Sequence, residues 1–468
     1  MTIPSWIHNA VFYQIFPDRF FNGNKENDPD NVKDWDSEPT FTSYFGGDLE
    51  GINQKLDYLQ DLGVNALYLN PIFLSTSPHG YNTSDYFKIE PRLGSEQDFR
   101  GLVKQIHERN MHIILDGVFN HTGRGFFAFV DILENGEQSP YFDWYHIDHF
   151  PLHAYDEGKA DSYQAWFDMK SLPKLNTDNP KVCNHILQVI EYWLRLGVDG
   201  WRLDVPNEID SDHFWSRFQN AVKGVNPDAY IVGEIWHAEP RWVKFFDGLM
   251  DYPFRDALLG LLNDEIGLAQ FIHTLQEITT IYTWENVLAM YVLLGSHDTK
   301  RLYTKLNGDM DKIKLAFMLQ FFFPGIPAIY YGDEIGMQGG KDPGCRAGFM
   351  WDETQWNNDL RNWLKALIRI RKEHAVLQYG SFEILKNDPS NNTCIMKRQD
   401  EGRQIFLVMN FSRTKQNIDV ETDTIKEGIL EDLLSNVAHS ITENRARLEL
   451  APMSGSLLNV NFNKEQEW

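Results

Sequence analysis

Cysteine is nearly missing from this chain: Cys183, Cys345 and Cys394 are the three among 468 residues. An odd, widely spaced set forms no disulfide framework, and no pair has the short spacing of a zinc or redox site. Basic residues are also few, with 43 Lys and Arg against 67 Asp and Glu and a net charge of −24. That balance excludes the electrostatic grip on which nucleic-acid and anionic-membrane binding depend. No apolar run reaches the roughly 18 residues of a membrane span. The longest, Leu315 to Ile335, is broken by Pro324, Gly325 and Pro327. The opening Met-Thr-Ile-Pro-Ser-Trp has neither the basic start nor the apolar core of a secretory leader, so a cytoplasmic location is expected. There is no internal repeat and no low-complexity tract.

What is abundant is aromatic: 14 Trp, 19 Tyr and 31 Phe, 14% of the chain. Such a composition serves a large ring-rich core and a site lined with flat rings, as sugar sites are, equally well.

Short apolar runs alternate with longer amphipathic stretches. Residues 10–16, 66–70, 112–119, 200–205, 229–235, 248–252, 287–296 and 328–332 read as buried strands, and stretches such as 97–110 and 182–196 carry helical spacing. Repeated alternation predicts a parallel sheet covered by helices, and eight such runs predict an α/β fold of the (β/α)8 TIM-barrel type. A doubly wound open sheet finds no support, because no glycine-rich phosphate fingerprint follows the first strand. After Phe119 the next helical pattern starts only near Pro180, far beyond an ordinary βα connection. A long insertion at the C-terminal end of a barrel strand helps to build an active site, and Phe142, Trp144, Tyr145 and Trp166 within it are candidates to line a cleft. From Ser381 onward, alternating runs at 394–397, 404–410, 447–450 and 456–460 predict antiparallel strands. The expected organisation is a barrel over 1–118 and 177–376, an inserted subdomain after strand 3 over 119–176, and a C-terminal antiparallel β-sandwich domain over 377–468.

Acidic residues sit where a barrel enzyme places its chemistry. Asp116 comes late in its strand, with Asn120 and His121 just beyond. In Gly200-Trp201-Arg202-Leu203-Asp204-Val205, side chains alternate faces, so Arg202 and Asp204 point the same way. Arg202 is then expected to keep Asp204 ionised. Glu234 ends an apolar strand, a setting that raises its pKa and favours the protonated form. Ser296-His297-Asp298-Thr299 follows the seventh strand; neighbours in sequence do not form a hydrolase triad. Each cluster alone is explained by a cap or a solvated ion pair. Four of them at the same end of the predicted barrel strands make a site.

These segments resemble, in order, the signature regions of the α-amylase superfamily, glycoside hydrolase family 13: Asp116 to His121, Gly200 to Glu208, Gly233 to His237, and Ser296 to Thr299. The resemblance implies Asp204 as nucleophile, Glu234 as general acid/base and Asp298 as transition-state stabiliser. It implies Asn120, His121, Arg202 and His297 around the cleaved sugar, Asp116 in support, and Tyr81 stacked under it. Leu172 to Asn176, Tyr330 to Gly336 and Asp342-Pro343-Gly344-Cys345-Arg346 are similar to the cyclomaltodextrinase, neopullulanase and maltogenic amylase group. There Asp342 and Arg346 would bind the far end of the donor sugar, and Glu208 and Trp236 would face the acceptor. The first strand starts almost at once, whereas that group usually carries an N-terminal β-domain before it; the sequence resembles more the shorter members, some of which act on branched or α-1,6-linked oligosaccharides.

The resemblance implies a retaining hydrolase of short or cyclic α-glucans such as cyclodextrins, maltooligosaccharides and pullulan. The linkage, α-1,4 or α-1,6, stays open. A transglycosylase and a non-catalytic sugar- or protein-binding barrel are the other readings. Asn22, Asn24, Asn27, Asp28, Gly46 and Asp48 are similar to the group's calcium loop, so a structural Ca2+ is expected, with no organic cofactor. The expected partners are an oligosaccharide and, as a homodimer, a second copy of the chain, with neither nucleic acid nor membrane.

Overall fold

The computed structural model describes residues 3–422 and 425–461. Eight short parallel strands form its centre: β1 (Phe12–Ile15), β2 (Ala66–Leu69), β3 (His112–Gly117), β4 (Gly200–Leu203), β5 (Tyr230–Gly233), β6 (Gly248–Leu249), β7 (Tyr291–Leu293) and β8 (Ile326–Tyr330). Their hydrogen-bonded order is β6-β5-β4-β3-β2-β1-β8-β7, and a parallel bridge from Met250 to Tyr291 joins the two ends into a barrel. The strands are apolar on both faces because helices cover the outside and side chains fill the inside. The covering helices are amphipathic. Glu96–Glu108 opens on a Ser95/Asp98 capping box and turns Phe99, Leu102, Val103 and Ile106 inward.

The alternation is less regular than the sequence pattern predicts. Between β5 and β6 lies a 3-10 turn, Trp242–Lys244, in place of a full helix. β6 is two residues long, and Tyr252 already begins the helix Tyr252–Leu262. The predicted run 287–296 divides into the end of a helix, Trp284–Leu288, and the strand Tyr291–Leu293. Apolar content alone does not separate a buried helix turn from a buried strand.

Beyond β3 the chain forms the helix Phe127–Asn135 and several 3-10 turns before the helix Pro180–Arg195. The bridges His121–Lys174, Tyr145–Leu175 and Ala165–Pro173 fasten this segment over the end of β3. The C-terminal part is antiparallel: β9 (Ser381–Asp388), β10 (Thr393–Asp400), β11 (Arg403–Asn410), β12 (Gln416–Glu421), β13 (Glu427–Asp432), β14 (Ala438–Thr442), β15 (Arg445–Leu450) and β16 (Ser454–Asn461). They make one curled sheet, ordered β9-β10-β11-β16-β13-β14-β15-β12, around a core that includes Phe406, Val408, Leu430 and Leu458. The strands absent from the sequence reading, β9, β12, β13 and β14, are the polar, partly exposed ones, which carry little apolar signal.

Candidate active site

Side chains inside a barrel come from alternate residues of each strand. Phe12, Tyr68, Ile114, Val232 and Leu293 fill the lower layers. Two residues further along, Gln14, Asn70, Asp116 and Glu234 are polar and buried, and Arg202, two residues past Gly200, joins them. Parallel register places Asp116 directly beside Arg202. The site is therefore the polar top layer of the barrel.

Arg202 is its centre. Its Nη1 donates to Asp116 Oδ1 at 2.7 Å and Asp204 Oδ1 at 3.0 Å, and Nη2 forms an ion pair with Glu234 Oε1 at 2.9 Å. Asp116 also accepts from Tyr68 at 2.6 Å and from the Tyr81 hydroxyl at 2.8 Å. The Tyr81 ring lies parallel to the His297 ring, 5.4 Å away. Gln14 Nε2 donates to His297 Nδ1 at 2.9 Å, which puts the imidazole proton on Nε2, 3.2 Å from Asp298 Oδ2. Arg346 bridges the opposite wall. Its Nη2 meets Asp298 Oδ1 at 3.1 Å, and its Nε meets the His297 carbonyl at 2.9 Å and Asp342 at 3.0 Å.

Above this layer opens a cleft of about 520 Å³. Tyr81, His121, Asp204, Glu208, Glu234 and Trp236 line one part of it, and His297, Asp298, Asp342 and Arg346 the other. Asp116, Asn120 and Arg202 lie buried below and are not among its lining. Glu208 is exposed at the mouth, 3.6 Å from Lys174 Nζ, and Trp236 stacks on Tyr252 at 3.8 Å. Of the insertion aromatics, Trp166 lines the cleft and stacks on His121. Phe142, Trp144 and Tyr145 do not line it; the last two are buried in the insertion's own packing.

Electrostatics follows from burial. Burial pushes Glu234 up to about 7, against the pull of Arg202. Asp204 is also raised, by burial first and by the Glu234 and Asp116 charges, with Arg202 opposing. The expectation that Arg202 keeps Asp204 ionised is therefore corrected: one guanidinium is shared among three buried carboxyls, and for Asp204 and Glu234 desolvation outweighs its pull. The protein around the cleft raises Asp298 as well, although its side chain is 30% exposed. His121 is lowered to about 3 and His79 to about 4, both by burial, so these imidazoles are neutral.

Several residues here escaped the sequence reading. Gln14 carried a signal, as the lone polar side chain in an apolar strand. His79 accepts from the Tyr81 amide and lines the cleft, as do Phe41, Phe167 and Met169. Val205 is held at φ +35°, a left-handed conformation costly for a β-branched residue, and this turn aims its N–H at Glu234 Oε2, 3.1 Å away.

The calcium-loop residues named from sequence also come together in part. Buried Asn22 Oδ1 and Asn27 Oδ1 have no hydrogen-bond partner, and the Asn22 amide donates to Asp28 at 2.8 Å. Gly46, at φ +82°, packs so closely on Asp28 and Asn22 that a Cβ would collide with both. Orphaned amide oxygens beside a carboxylate fit a hard cation such as Ca2+. Asn24 Oδ1 instead caps a 3-10 turn by accepting from Glu26, and Asp48 accepts from the amides of Gly23, Asn24 and Gly51. Among the described residues no group of three or more His, Cys, Asp or Glu could hold a metal.

Residues 14–378 match the family description "Alpha amylase, catalytic domain". The chain belongs to the alpha-amylase family. It is 45% identical over 432 residues to a cyclomaltodextrinase of Thermoanaerobacter pseudethanolicus, covering 91% of this chain and 74% of that one. It is 40% identical over 421 residues to the intracellular maltogenic amylase of Bacillus subtilis, covering 89% and 70%. Among solved structures, the cyclic alpha-maltosyl-(1→6)-maltose hydrolase of Arthrobacter globiformis superposes with a TM-score of 0.90 at 35% identity, covering 98% of this chain and 100% of that one. The protein is thus a glycoside hydrolase, and the binding-only reading of the barrel gives way. Among the described residues no helix is long and apolar enough to cross a membrane.

Proposed function

We propose that this enzyme hydrolyses α-glucosidic bonds in short linear and cyclic α-glucans, with retention, through a covalent glycosyl–enzyme. The observation that carries the reading is the convergence of Asp204, Glu234 and Asp298 on one cleft, the first two tied to a single guanidinium. Retention requires the two carboxyls about 5–5.5 Å apart, and their sharing of one guanidinium supports that arrangement. Glu234 gives its proton to the departing glycosidic oxygen while Asp204 attacks the anomeric carbon, so the C–O bond breaks as the ester forms. Glu234, now ionised, then takes a proton from water, which attacks the same carbon and frees Asp204. Arg202 and Asp298 act through placed charge. A second sugar in place of water gives transglycosylation, for which the Trp236 and Glu208 side of the cleft supplies the acceptor contacts.

A product time course on β-cyclodextrin, maltotriose, pullulan, panose and a cyclic α-1,6/α-1,4 tetrasaccharide tests this reading. Cleavage of α-1,4 rings and maltotriose first supports it. Preference for α-1,6 bonds supports the second reading, favoured by the end-to-end likeness to the maltosyl-maltose hydrolase. Products larger than the substrate mark transfer, and turnover of none of the five refutes the proposal.

With Glu234 raised to about 7, kcat/KM is expected to fall tenfold per pH unit above about 7, because the acid must hold its proton. A profile flat to pH 8.5 contradicts the assignment of Glu234. A structural Ca2+ held by Asn22, Asn27 and Asp28 belongs to the same proposal, and adding Ca2+ to chelator-treated protein is expected to raise Tm. Asp28→Ala removes that shift; an equal Tm with chelator and with Ca2+ refutes the site. A cytoplasmic location, consistent with the intracellular name of the Bacillus subtilis relative, and a homodimer complete the proposal. Fractionation of the native host and light scattering check them.

A further inference from the structure

A cavity larger than the catalytic cleft opens beside it. Its volume is about 1090 Å³, and it lies on the same end of the barrel, formed by the loops after β1, β7 and β8. Five rings line it: Phe21, Trp35, Tyr303, Trp351 and Trp356. The indole N–H of each tryptophan is already spent on a main-chain carbonyl: Trp35 on Phe349 at 2.7 Å, Trp351 on Phe20 at 2.5 Å and Trp356 on Met350 at 2.5 Å. Lys55 lies 4.0 Å over Phe21 and 4.1 Å over Trp351. The rings are thus fixed before any ligand arrives, yet each tryptophan stays half-buried. Such rigid flat faces cost little ordering on binding.

Between the rings stand uncharged or acidic groups, Ser37, Asp36, Gln338, Asp352 and Gln355. Among the described residues no Lys, Arg or His lines the cavity. Anionic ligands are therefore disfavoured, both here and by the net charge of −24. Flat apolar faces interleaved with amides, a hydroxyl and carboxylates suit a neutral polyhydroxylated chain, whose C–H faces stack on rings and whose hydroxyls donate to the acceptors. One loop joins the two cavities: Asp342 and Arg346 face the catalytic cleft, and Ala347, Gly348 and Met350 face this one.

We propose that this cavity is a second α-glucan-binding site, which holds a separate chain outside the catalytic cleft. The ligand class rests on the α-glucan reading above. Calorimetric titration of maltoheptaose into the Asp204→Asn protein tests both. Two chains bound per molecule are expected, falling to one when Trp35→Ala is added. Should Trp35→Ala lower the folded yield, the exposed pair Asp36→Ala/Gln355→Ala is expected to weaken the second event about tenfold without touching a packed ring. In the active enzyme, these variants keep kcat on maltotriose and raise KM for long chains. One chain bound in the Asp204→Asn protein, or two that persist in folded Trp35→Ala and in the double variant, overturns the second site. No binding at all refutes the α-glucan reading itself.

Discussion

Asp204→Asn is expected to lower kcat on maltotriose about ten-thousandfold or more, since the amide cannot form the glycosyl ester and nothing else in the cleft stands in its place. The same change is expected to leave Tm unchanged or raise it at pH 8. Burial, Glu234 and Asp116 all push the Asp204 carboxyl up, so its ionised form destabilises the folded state at that pH. The sign follows from proton linkage. A carboxyl whose folded pKa exceeds its unfolded value binds a proton in the native state, and that stability is lost as pH rises through the folded value. The wild-type enzyme should therefore gain stability between pH 8 and pH 5, and Asp204→Asn should gain less. Calorimetry of both proteins across that range decides it. A variant that hydrolyses maltotriose within tenfold of wild type sinks the nucleophile assignment; one that melts well below wild type at pH 8 sinks the account of its charge.

Arg202→Met carries the second large effect. Arg202 is fully buried and touches Asp116, Asp204 and Glu234 at 2.7, 3.0 and 2.9 Å. Removing one partner of a buried ion pair costs about 3–5 kcal/mol, because the charge left behind has lost its compensation. Three carboxyls lose theirs here, so activity is expected to vanish and Tm to drop sharply at pH 8. Much of the Tm should return at pH 5, where the carboxyls hold protons. Arg202→Lys is expected to restore part of the stability and little activity, since an ammonium lacks the fork that reaches Asp204 and Glu234 at once. A Met variant that melts with wild type at pH 8 would show that the cluster is not organised by this cation.

Much of this was legible without coordinates. Binary alternation put Arg202 and Asp204 on one face, and the apolar strand before Glu234 announced a raised pKa; both statements follow from local periodicity and local environment. The eight apolar runs gave the barrel because each records a strand buried on both sides. Polar strands β9, β12, β13 and β14 left no such record, and neither did the 3-10 turn that replaces a helix between β5 and β6.

What the tertiary structure alone decided is how charges and surfaces from distant segments add. The sequence pairs Arg202 with Asp204; only the closed barrel brings Asp116 and Glu234 to the same guanidinium, and burial together with their charges pushes the Asp204 carboxyl up against its pull. Likewise, Trp35, Tyr303 and Trp356 belong to the connections after β1, β7 and β8, which share no pattern, and they meet in one cavity because parallel closure carries the strand-to-helix connections to one end of the barrel. Periodicity is a local property and is written along the chain. Electrostatic balance and cavity shape are sums over neighbours in space, and only the fold says who those neighbours are.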